Sequence, residues 1–306
     1  MDFTPFLENH RLLKAYGGAN GSKVAVDIDG SVYMLKFPPS AKDNKALSYS
    51  NSCISEYISC HIVSELGIAA QETLLGTVRK NGKEYICVAC KDFEVEDWTL
   101  YEFALIKNTC IDTSQNGYGI ELSDVLAAID EQIFVPSAEV AKFFWNLFVV
   151  DAFLGNFDRH NGNWGFLVNR RTNETRIAPV FDCGSCLYPQ LTDDGMEKII
   201  ADQREIDQRI YVFPNSAIKM GGKKVNYYSF LTQTQDRTVL RSILDVVERI
   251  SLNEVLAIVD ATPFLSDVQK RFYKTMLSER YCKILLPAAS RAKEMLSNEV
   301  DGGEQL

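Results

Sequence analysis

The chain has 306 residues, of which 46% are hydrophobic and 24% charged, a composition typical of a globular protein and unlike that of disordered or fibrous chains. Its 32 basic and 41 acidic residues give a formal net charge of −9, which excludes nucleic-acid binding by bulk charge, because such binding needs clustered Lys and Arg. The length suits one large domain or two lobes around a shared cleft, and any nucleotide site must be built locally.

The first third of the chain has the pattern of two β-hairpins that flank one helix. Asp29-Gly30 and Asn81-Gly82 are favoured two-residue turns, and each separates two strand-like runs. Residues 50–66 carry apolar side chains at helical spacing between the hairpins. The strands are predicted at residues 23–28, 32–37, 72–79 and 83–90.

The rest of the chain is mostly helical in pattern. Residues 137–154 are apolar on nearly every side, which is typical of a helix buried in the middle of a domain. A short β-like island is predicted at 164–168 and 175–180. Pro287 should kink or end a long helix, and residues 301–306 should fray. The helices are predicted at 122–130, 137–154, 239–250, 252–259, 266–286 and 288–296.

This change of pattern predicts a bilobal α+β fold. We expect a small β-rich N-lobe at residues 1–93 and a larger, mainly helical C-lobe at residues 94–306. Ligand clefts often lie at such a junction.

No secretory signal or membrane segment is predicted. Asp2 and Glu8 stand where a basic stretch would be expected, and the longest apolar run, residues 143–150, is far shorter than the roughly 20 residues that span a bilayer. We therefore expect a cytoplasmic protein without a membrane partner, with later export left open.

A polar loop that follows the buried helix carries the first chemical signal. Asp158 and Asn163 are five positions apart, the spacing of a kinase catalytic loop, in which Asp orients the acceptor hydroxyl and Asn holds a metal ion. The candidate catalytic residues are Asp158, Lys36 and His160. Whether His160 contacts phosphate or only holds the loop is open. Arg159 could be structural.

An apolar run that ends in Asp182-Cys183-Gly184 carries the second signal. Asp182 at the end of a strand, next to a glycine that permits a sharp turn, resembles the Asp-Phe-Gly element whose Asp binds Mg²⁺. Cys183 replaces the Phe, so a switch based on a Phe flip is in doubt.

The N-terminal part supplies candidate nucleotide-binding residues. A Gly-rich loop lets backbone N–H groups approach phosphate oxygens, and Lys36, on a strand, could reach the α- and β-phosphates with Glu56 as its ion-pair partner. Residues 88–93 would form a hinge that holds adenine through backbone groups. The predicted ATP-binding residues are Gly18, Ala19, Asn20, Gly21, Ser22, Lys23, Lys36, Glu56, Cys90, Asp92 and Phe93.

The eight cysteines allow an alternative reading. Cys87/Cys90 and Cys183/Cys186 have the C-x-x-C spacing, and four thiolates could bind a tetrahedral zinc ion. The apolar run around the first pair is typical of a buried strand instead, so we favour small buried thiols over a metal site.

Several motifs together resemble one known family. They are residues 18–23, 35–37, 55–57, 156–163 and 181–184. With these the chain resembles the HipA-like serine/threonine kinases. The resemblance implies a bilobal kinase fold, ATP and Mg²⁺ as cofactors, Asp158 as catalytic base, Asn163 and Asp182 as metal ligands, and Lys23 and Lys36 near the ATP phosphates.

The family resemblance also bears on partners. Longer toxin kinases of this family carry an extra N-terminal subdomain that meets a DNA-binding antitoxin. The Gly-rich loop here begins by residue 17, so we expect that subdomain to be absent, and an antitoxin partner is doubtful. The expected partner is a protein substrate of unknown identity.

The leading functional hypothesis is therefore an ATP- and Mg²⁺-dependent protein kinase that acts on Ser or Thr, with Tyr left open as an acceptor. Family members are inactivated by phosphorylation of a serine in the Gly-rich region, which predicts autophosphorylation here at Tyr16 first and Ser22 second. One alternative is a kinase-like enzyme that acts on a lipid or small molecule, because the Asp-Arg-His-x-x-Asn order also resembles phosphatidylinositol kinases. The other is a non-catalytic nucleotide- or zinc-binding module.

Overall fold

The computed structural model describes residues 1–16, 23–38, 50–111 and 116–302, and only the helical backbone of residues 299–302. The N-terminal part is built on an antiparallel sheet with the strand order β1-β2-β4-β3. Asp29 and Gly30 have φ angles of 51° and 81°, as the tight turn between β1 and β2 requires, and this confirms the first predicted hairpin. The strands are β1 (Lys23–Ile28), β2 (Ser31–Lys36), β3 (Thr73–Lys80) and β4 (Lys83–Lys91).

The two faces of this sheet are covered differently. A short helix, α1 (Thr4–Asn9), and the buried ring of Phe3 close one face over a small cluster that includes Val26 and Leu35. Helix α2 (Ser52–Glu65) covers the other face and joins the main core. The helix predicted at 50–66 is confirmed, but it is slightly shorter at both ends.

A second sheet contains a strand that the sequence analysis missed. Its order is β5-β6-β7, and its strands are antiparallel. The bounds are β5 (Trp98–Glu102), β6 (Gly165–Asn169) and β7 (Thr175–Ile177). The strand predicted at 175–180 is wrong beyond Ile177, where only Val180 makes an isolated bridge, to Ala70.

Helices dominate the C-terminal part, and α5 (Ser137–Leu154) lies at its centre, as predicted. Every residue of α5 from Phe144 onward is buried, and the helix packs against α4 and α9. The other elements are α3 (Phe103–Cys110), α4 (Leu122–Glu131), α6 (Asp193–Ile200), α7 (Gln203–Tyr211), β8 (Asn215–Met220), β9 (Lys223–Asn226), α8 (Tyr227–Gln233), α9 (Arg237–Arg249), α10 (Leu252–Ala261), α11 (Asp267–Arg280) and α12 (Leu286–Gly302).

Pro287 does not end its helix. The irregularity lies just before it, in a π-helical turn at Tyr281–Leu285, and α12 continues to Gly302. The wider turn accommodates a residue that has no N–H to donate to the preceding turn. The fray predicted at 301–306 stays a prediction, and residues 303–306 lie outside the described residues.

Within the described ranges, none of the helices combines the length and the apolar character needed to cross a bilayer. The first sheet ends at Lys91, and Trp98 already belongs to the second sheet. The lobe boundary at residue 93 stays a prediction.

Candidate active site

A cavity of about 720 Å³ lies where the first sheet faces the loops of the helical part. Its size is within the range of ligand pockets, and both parts of the chain line it. Ten of the predicted site residues line it, namely Tyr16, Lys23, Lys36, Glu56, Asp92, Phe93, Asp158, His160, Asn163 and Asp182.

An ion-pair triad connects the two sides of the cavity. Nζ of Lys36 on β2 lies 3.1 Å from Oε1 of Glu56 on α2 and 3.1 Å from Oδ1 of Asp182. Burial opposes the charge of Lys36, but the two carboxylates outweigh it and raise the pKa of Lys36 well above its usual range. The sequence prediction that Glu56 pairs with Lys36 is thus confirmed in geometry.

The two carboxyl groups of the triad differ in environment. The charge of Lys36 lowers the pKa of Asp182 to about 2. Burial instead raises the pKa of Glu56, although Lys36 acts against the shift. Asp182 has 41% of its side chain exposed and Glu56 only 1%, so Asp182 is the carboxylate presented to a ligand.

The backbone turn around Asp182 passes close to Glu56. Asp182 has a φ of 57°, in the left-handed region that non-glycine residues seldom occupy. A Cβ atom on Gly184 would lie 3.2 Å from Oε2 of Glu56. The small residue therefore lets this turn pass close to the end of the triad.

The candidate catalytic loop, residues 156–163, is anchored by a buried charge network and is called the catalytic loop below. Helix α5 ends at Leu154 and is capped by Gly155, whose φ of 67° suits a glycine. Asp151, in the last turn of α5, accepts hydrogen bonds from Arg159 Nε at 3.1 Å and from Asn156 Nδ2 at 2.8 Å. Asn156 Oδ1 in turn accepts from the backbone N–H of Asp158 at 3.0 Å. Through these hydrogen bonds, the network holds the backbone of Asp158 in place.

Arg159 also connects the catalytic loop to the Asp182 turn. Its Nη1 donates to the backbone oxygen of Asn163 at 2.9 Å and to that of Phe181, and its Nη2 donates to Cys183 Sγ at 3.3 Å. The attraction of Asp151 outweighs burial and holds the pKa of Arg159 well above its usual range. A permanent buried cation therefore holds together the two segments that carry Asn163 and Asp182.

Three predicted site residues of this loop, Asp158, His160 and Asn163, make different contacts. Asn163 Nδ2 donates to the backbone oxygen of Asp158 at 2.9 Å, which leaves its Oδ1 available. Nδ1 of His160 accepts from the backbone N–H of Gly162 at 3.0 Å, so this histidine does hold the loop, while its ring lines the cavity. Burial raises the pKa of Asp158, His160 opposes the shift, and the charge of Asp182 adds to it.

The predicted hinge is only partly available to a ligand. Phe93 and Asp92 line the cavity, and the ring centroids of Phe93 and Phe181 are 5.6 Å apart. The backbone N–H groups of Lys91 and Asp92 already donate to the backbone oxygens of Glu72 and Val32, each at 2.8 Å. Cys90 is fully buried between paired strands and is not among the lining residues, so its predicted contact with ATP is not supported.

Tyr16 lies against the same edge of the cavity. Its hydroxyl donates to Oδ2 of Asp92 at 2.6 Å, and Lys14 Nζ lies 2.6 Å from the same oxygen. Burial, followed by the Asp92 hydrogen bond, raises the pKa of Tyr16. The predicted Gly-rich loop residues Gly18, Ala19, Asn20, Gly21 and Ser22 lie outside the described residues.

The C-x-x-C pairs do not come together. Cys87 belongs to the small cluster beneath α1, whereas Cys90 faces the main core on the opposite side of β4. Over the described ranges no three or more His, Cys, Asp or Glu side chains are grouped as metal ligands, and the cysteines are free. The zinc-module alternative therefore has no support in this part of the chain.

Sequence reasoning missed the residues that support the loop. Asp151 is the one carboxylate in the apolar run 143–154, and a charge in a buried helix implies a partner. That signal could have identified Asp151. The sequence holds no comparable signal for Tyr227, whose hydroxyl donates to the backbone oxygen of Asn156 at 2.7 Å from a distant helix.

Comparison with known proteins identifies the family. Residues 15–251 match the model of the HipA-like C-terminal domain. The chain is 46% identical over 301 residues to the serine/threonine-protein kinase CtkA of Helicobacter pylori, and the match covers 96% of this chain and 91% of that protein.

Two solved structures show the same fold. The crystal structure of the Helicobacter pylori proinflammatory kinase CtkA superposes with a TM-score of 0.90 at 47% identity, covering 96% of this chain and 98% of that one. A chain of the Shewanella oneidensis complex of HipA, HipB and operator DNA has a TM-score of 0.52 at 12% identity. The match covers 93% of this chain and 71% of that one, and it indicates the fold alone. The chain belongs to the HipA-like C-terminal domain family, with the kinase fold of that family.

Proposed function

We propose that this protein transfers the γ-phosphate of ATP, with Mg²⁺, to Ser or Thr hydroxyls of a protein acceptor. Kinase activity of the serine/threonine type follows from the 46% identity to CtkA over 96% of the chain. The observation that supports the finer proposal is that Lys36, Asp158, Asn163 and Asp182 line one cavity, although they come from opposite sides of it.

The side chains present suit Mg²⁺ bound jointly with phosphate. Asp182 offers an exposed carboxylate and Asn163 an unengaged amide oxygen, the hard oxygen ligands that Mg²⁺ prefers. Two protein ligands are typical of Mg²⁺ that completes its shell with water and substrate phosphates. When bound, Mg·ATP would supply the phosphoryl group and the cation that neutralises it.

Each remaining residue has a role that its environment favours. Lys36 remains charged and is positioned by Glu56, so it can neutralise phosphate oxygens. Asp158 is held by its backbone and can accept the proton of the acceptor hydroxyl. Little covalent chemistry is required of the protein, because phosphoryl transfer depends mainly on position and charge neutralisation.

Autophosphorylation is part of the proposal. The hydroxyl of Tyr16 is engaged by Asp92, so phosphorylation at this position requires that the hydrogen bond first break. A phosphate there would add about −1.5 to −2 charge beside Asp92 and Glu94 and favour displacement of the segment. Mass mapping after incubation with Mg·ATP tests Tyr16 and Ser22, and phosphate found only outside residues 15–23 would contradict this assignment.

The central test is phosphate transfer from γ-labelled ATP to the protein itself and to a generic protein acceptor. Asp158→Ala and Asp182→Ala should each lower the rate at least ~10²-fold, the usual contribution of a catalytic base or more. Asp130→Ala, which removes an exposed carboxylate on α4, is the matched control. Unchanged transfer in both active-site variants, or a labelled lipid without labelled protein, would contradict the proposal.

A further inference from the structure

The β8–β9 hairpin carries an unusual concentration of positive charge. Lys219, Lys223 and Lys224 lie within six positions, and the last two are exposed. In the described part of the chain, none of the three forms a salt bridge with a carboxylate. In a protein with a net charge of −9, such a patch is available to an external anion.

The hairpin is fixed in place beside the catalytic loop. Its base continues into Tyr227, whose hydroxyl donates to the backbone oxygen of Asn156 at 2.7 Å. In β8, the backbone N–H of Lys219 donates to Ile120 O at 2.7 Å. At the tip, the Glu121 carboxylate accepts from the backbone N–H groups of the two glycines of the turn. The lysines are therefore displayed on a pre-organised support.

The segment that holds the hairpin is itself attached to the catalytic loop. Asn161 Nδ2 donates to the backbone oxygens of Gly117 and Gly119, each at 2.8 Å. Tyr118, between them, lines the cavity and meets the ring of His160 edge-on, with centroids 6.2 Å apart. The positive charge of Lys224 also acts on Asp158, where it opposes the effect of burial on the pKa. The hairpin thus lies close to the loop that carries Asp158.

A groove adjoins the lysines. Its volume is about 420 Å³, and it runs between the hairpin and α8, lined by Lys223, Lys224, Met220, Phe230 and Asn226 among others. Met220 is 50% exposed and the Phe230 ring is half-buried. An extended chain that presents carboxylates and one apolar side chain would match both the charge and the shape of this surface.

We propose that the β8–β9 hairpin and its groove dock the acceptor protein through Asp or Glu residues that flank the phosphorylated Ser or Thr. The inference rests on the proposed function and adds a substrate class to it. A short acidic peptide suits the two exposed lysines that line the groove, Lys223 and Lys224. A nucleic acid or an anionic membrane would instead bring its extended negative surface against the rest of an acidic protein.

The first test measures phosphate transfer to peptide libraries with a fixed Ser or Thr and one flanking position fixed as Asp, Glu, Gln or Lys. The wild type should favour acidic residues at one or more positions. The Lys223→Glu/Lys224→Glu variant should lower the rate on the acidic peptides about 5-fold or more, by raising KM. The charge reversal replaces the attraction between two exposed lysines and the acidic peptide with repulsion. Lys198→Glu/Lys293→Glu makes the same charge change at exposed sites on α6 and α12 and should leave the preference intact.

A binding measurement separates this inference from the kinase proposal. Fluorescence anisotropy compares a labelled Glu-rich Ser peptide with its Gln counterpart on the full chain, without ATP. Glu-peptide binding that weakens with salt and is lost in Lys223→Glu/Lys224→Glu supports the docking surface even if no phosphate is transferred. Transfer without acidic preference, or equal binding of both peptides, overturns it. So does tighter lysine-dependent binding of a 20-mer DNA duplex or of phosphatidylserine vesicles.

Discussion

The buried ion pair between Asp151 and Arg159 offers a direct test of how the candidate site is supported. Arg159 Nε lies 3.1 Å from Oδ2 of Asp151, Nη2 lies 3.3 Å from Oδ1, and the side chains are only 7% and 2% exposed. Asp151→Asn keeps the size of the side chain but removes the charge that compensates the guanidinium. Arg159 cannot lose its proton in response, because its pKa is far above neutral.

The expected cost follows from this burial. Removal of one partner of a buried ion pair typically destabilises by ~3–5 kcal/mol, because the other charge is left without compensation. A typical unfolding free energy is only ~5–15 kcal/mol, so the variant should be marginal at room temperature. Transfer activity should fall as well, since Arg159 also holds the backbone oxygens of Asn163 and Phe181.

Urea unfolding followed by tryptophan fluorescence measures the stability change. Asp260→Asn is the matched control, because Asp260 forms a 2.8 Å pair with Lys274 at the surface and should change stability by only ~0–1 kcal/mol. In addition, Asp151→Leu/Arg159→Met should recover part of the stability without the activity. If Asp151→Asn were as stable as Asp260→Asn, the reasoning would be refuted.

Three further predictions concern the cleft and its support. Lys36→Met should abolish transfer and destabilise the fold. In a double-mutant cycle, Lys36→Met/Glu56→Gln should lower the free energy of unfolding by less than the sum of the two single changes, because the two groups form one buried pair. Gly165→Ala should lower the free energy of unfolding, measured in urea, by ~2 kcal/mol or more, since its Cβ would lie 2.1 Å from a backbone oxygen of β5. The control Gly195→Ala, with no contact under 3.5 Å, should be neutral or slightly stabilising. The difference in unfolding free energy between wild type and Asp182→Asn should be constant above pH 5 and shrink as the pH falls from about 4 towards 2. The reason is that the pKa of Asp182 is lower in the folded state, so protonation removes the stability that its charge contributes. A difference that grows in acid would contradict this direction.

The elements that the sequence predicted well share a local cause. The turns at Asp29-Gly30 and Asn81-Gly82 need positive φ angles that their residue types supply, so both hairpins could be predicted from a few neighbouring residues. Helix α5 was predicted with the correct bounds, because its apolar run lies between a proline and a glycine.

The elements that the sequence did not reveal depend on distant partners. Strand β5 exists because it pairs with β6, far along the chain, and its residues are only half-buried. Strands β8 and β9 were missed for a related reason, since the polar lysine-rich hairpin is held by Glu121 and Tyr227 from other elements. Cys90 was assigned to the nucleotide because its position suits a hinge, but pairing with strands on both sides buries it.

The sequence by itself singled out Asp158, Asn163 and Asp182 as candidate residues for phosphoryl transfer, because they stand at diagnostic spacings within short motifs. Only the tertiary structure decided that Lys36, on strand β2, meets Asp182 at 3.1 Å and that Arg159 joins the two loops through backbone oxygens. The physical reason is that spacing constrains neighbours along the chain, whereas an ion pair across a cleft depends on how separately folded segments pack together.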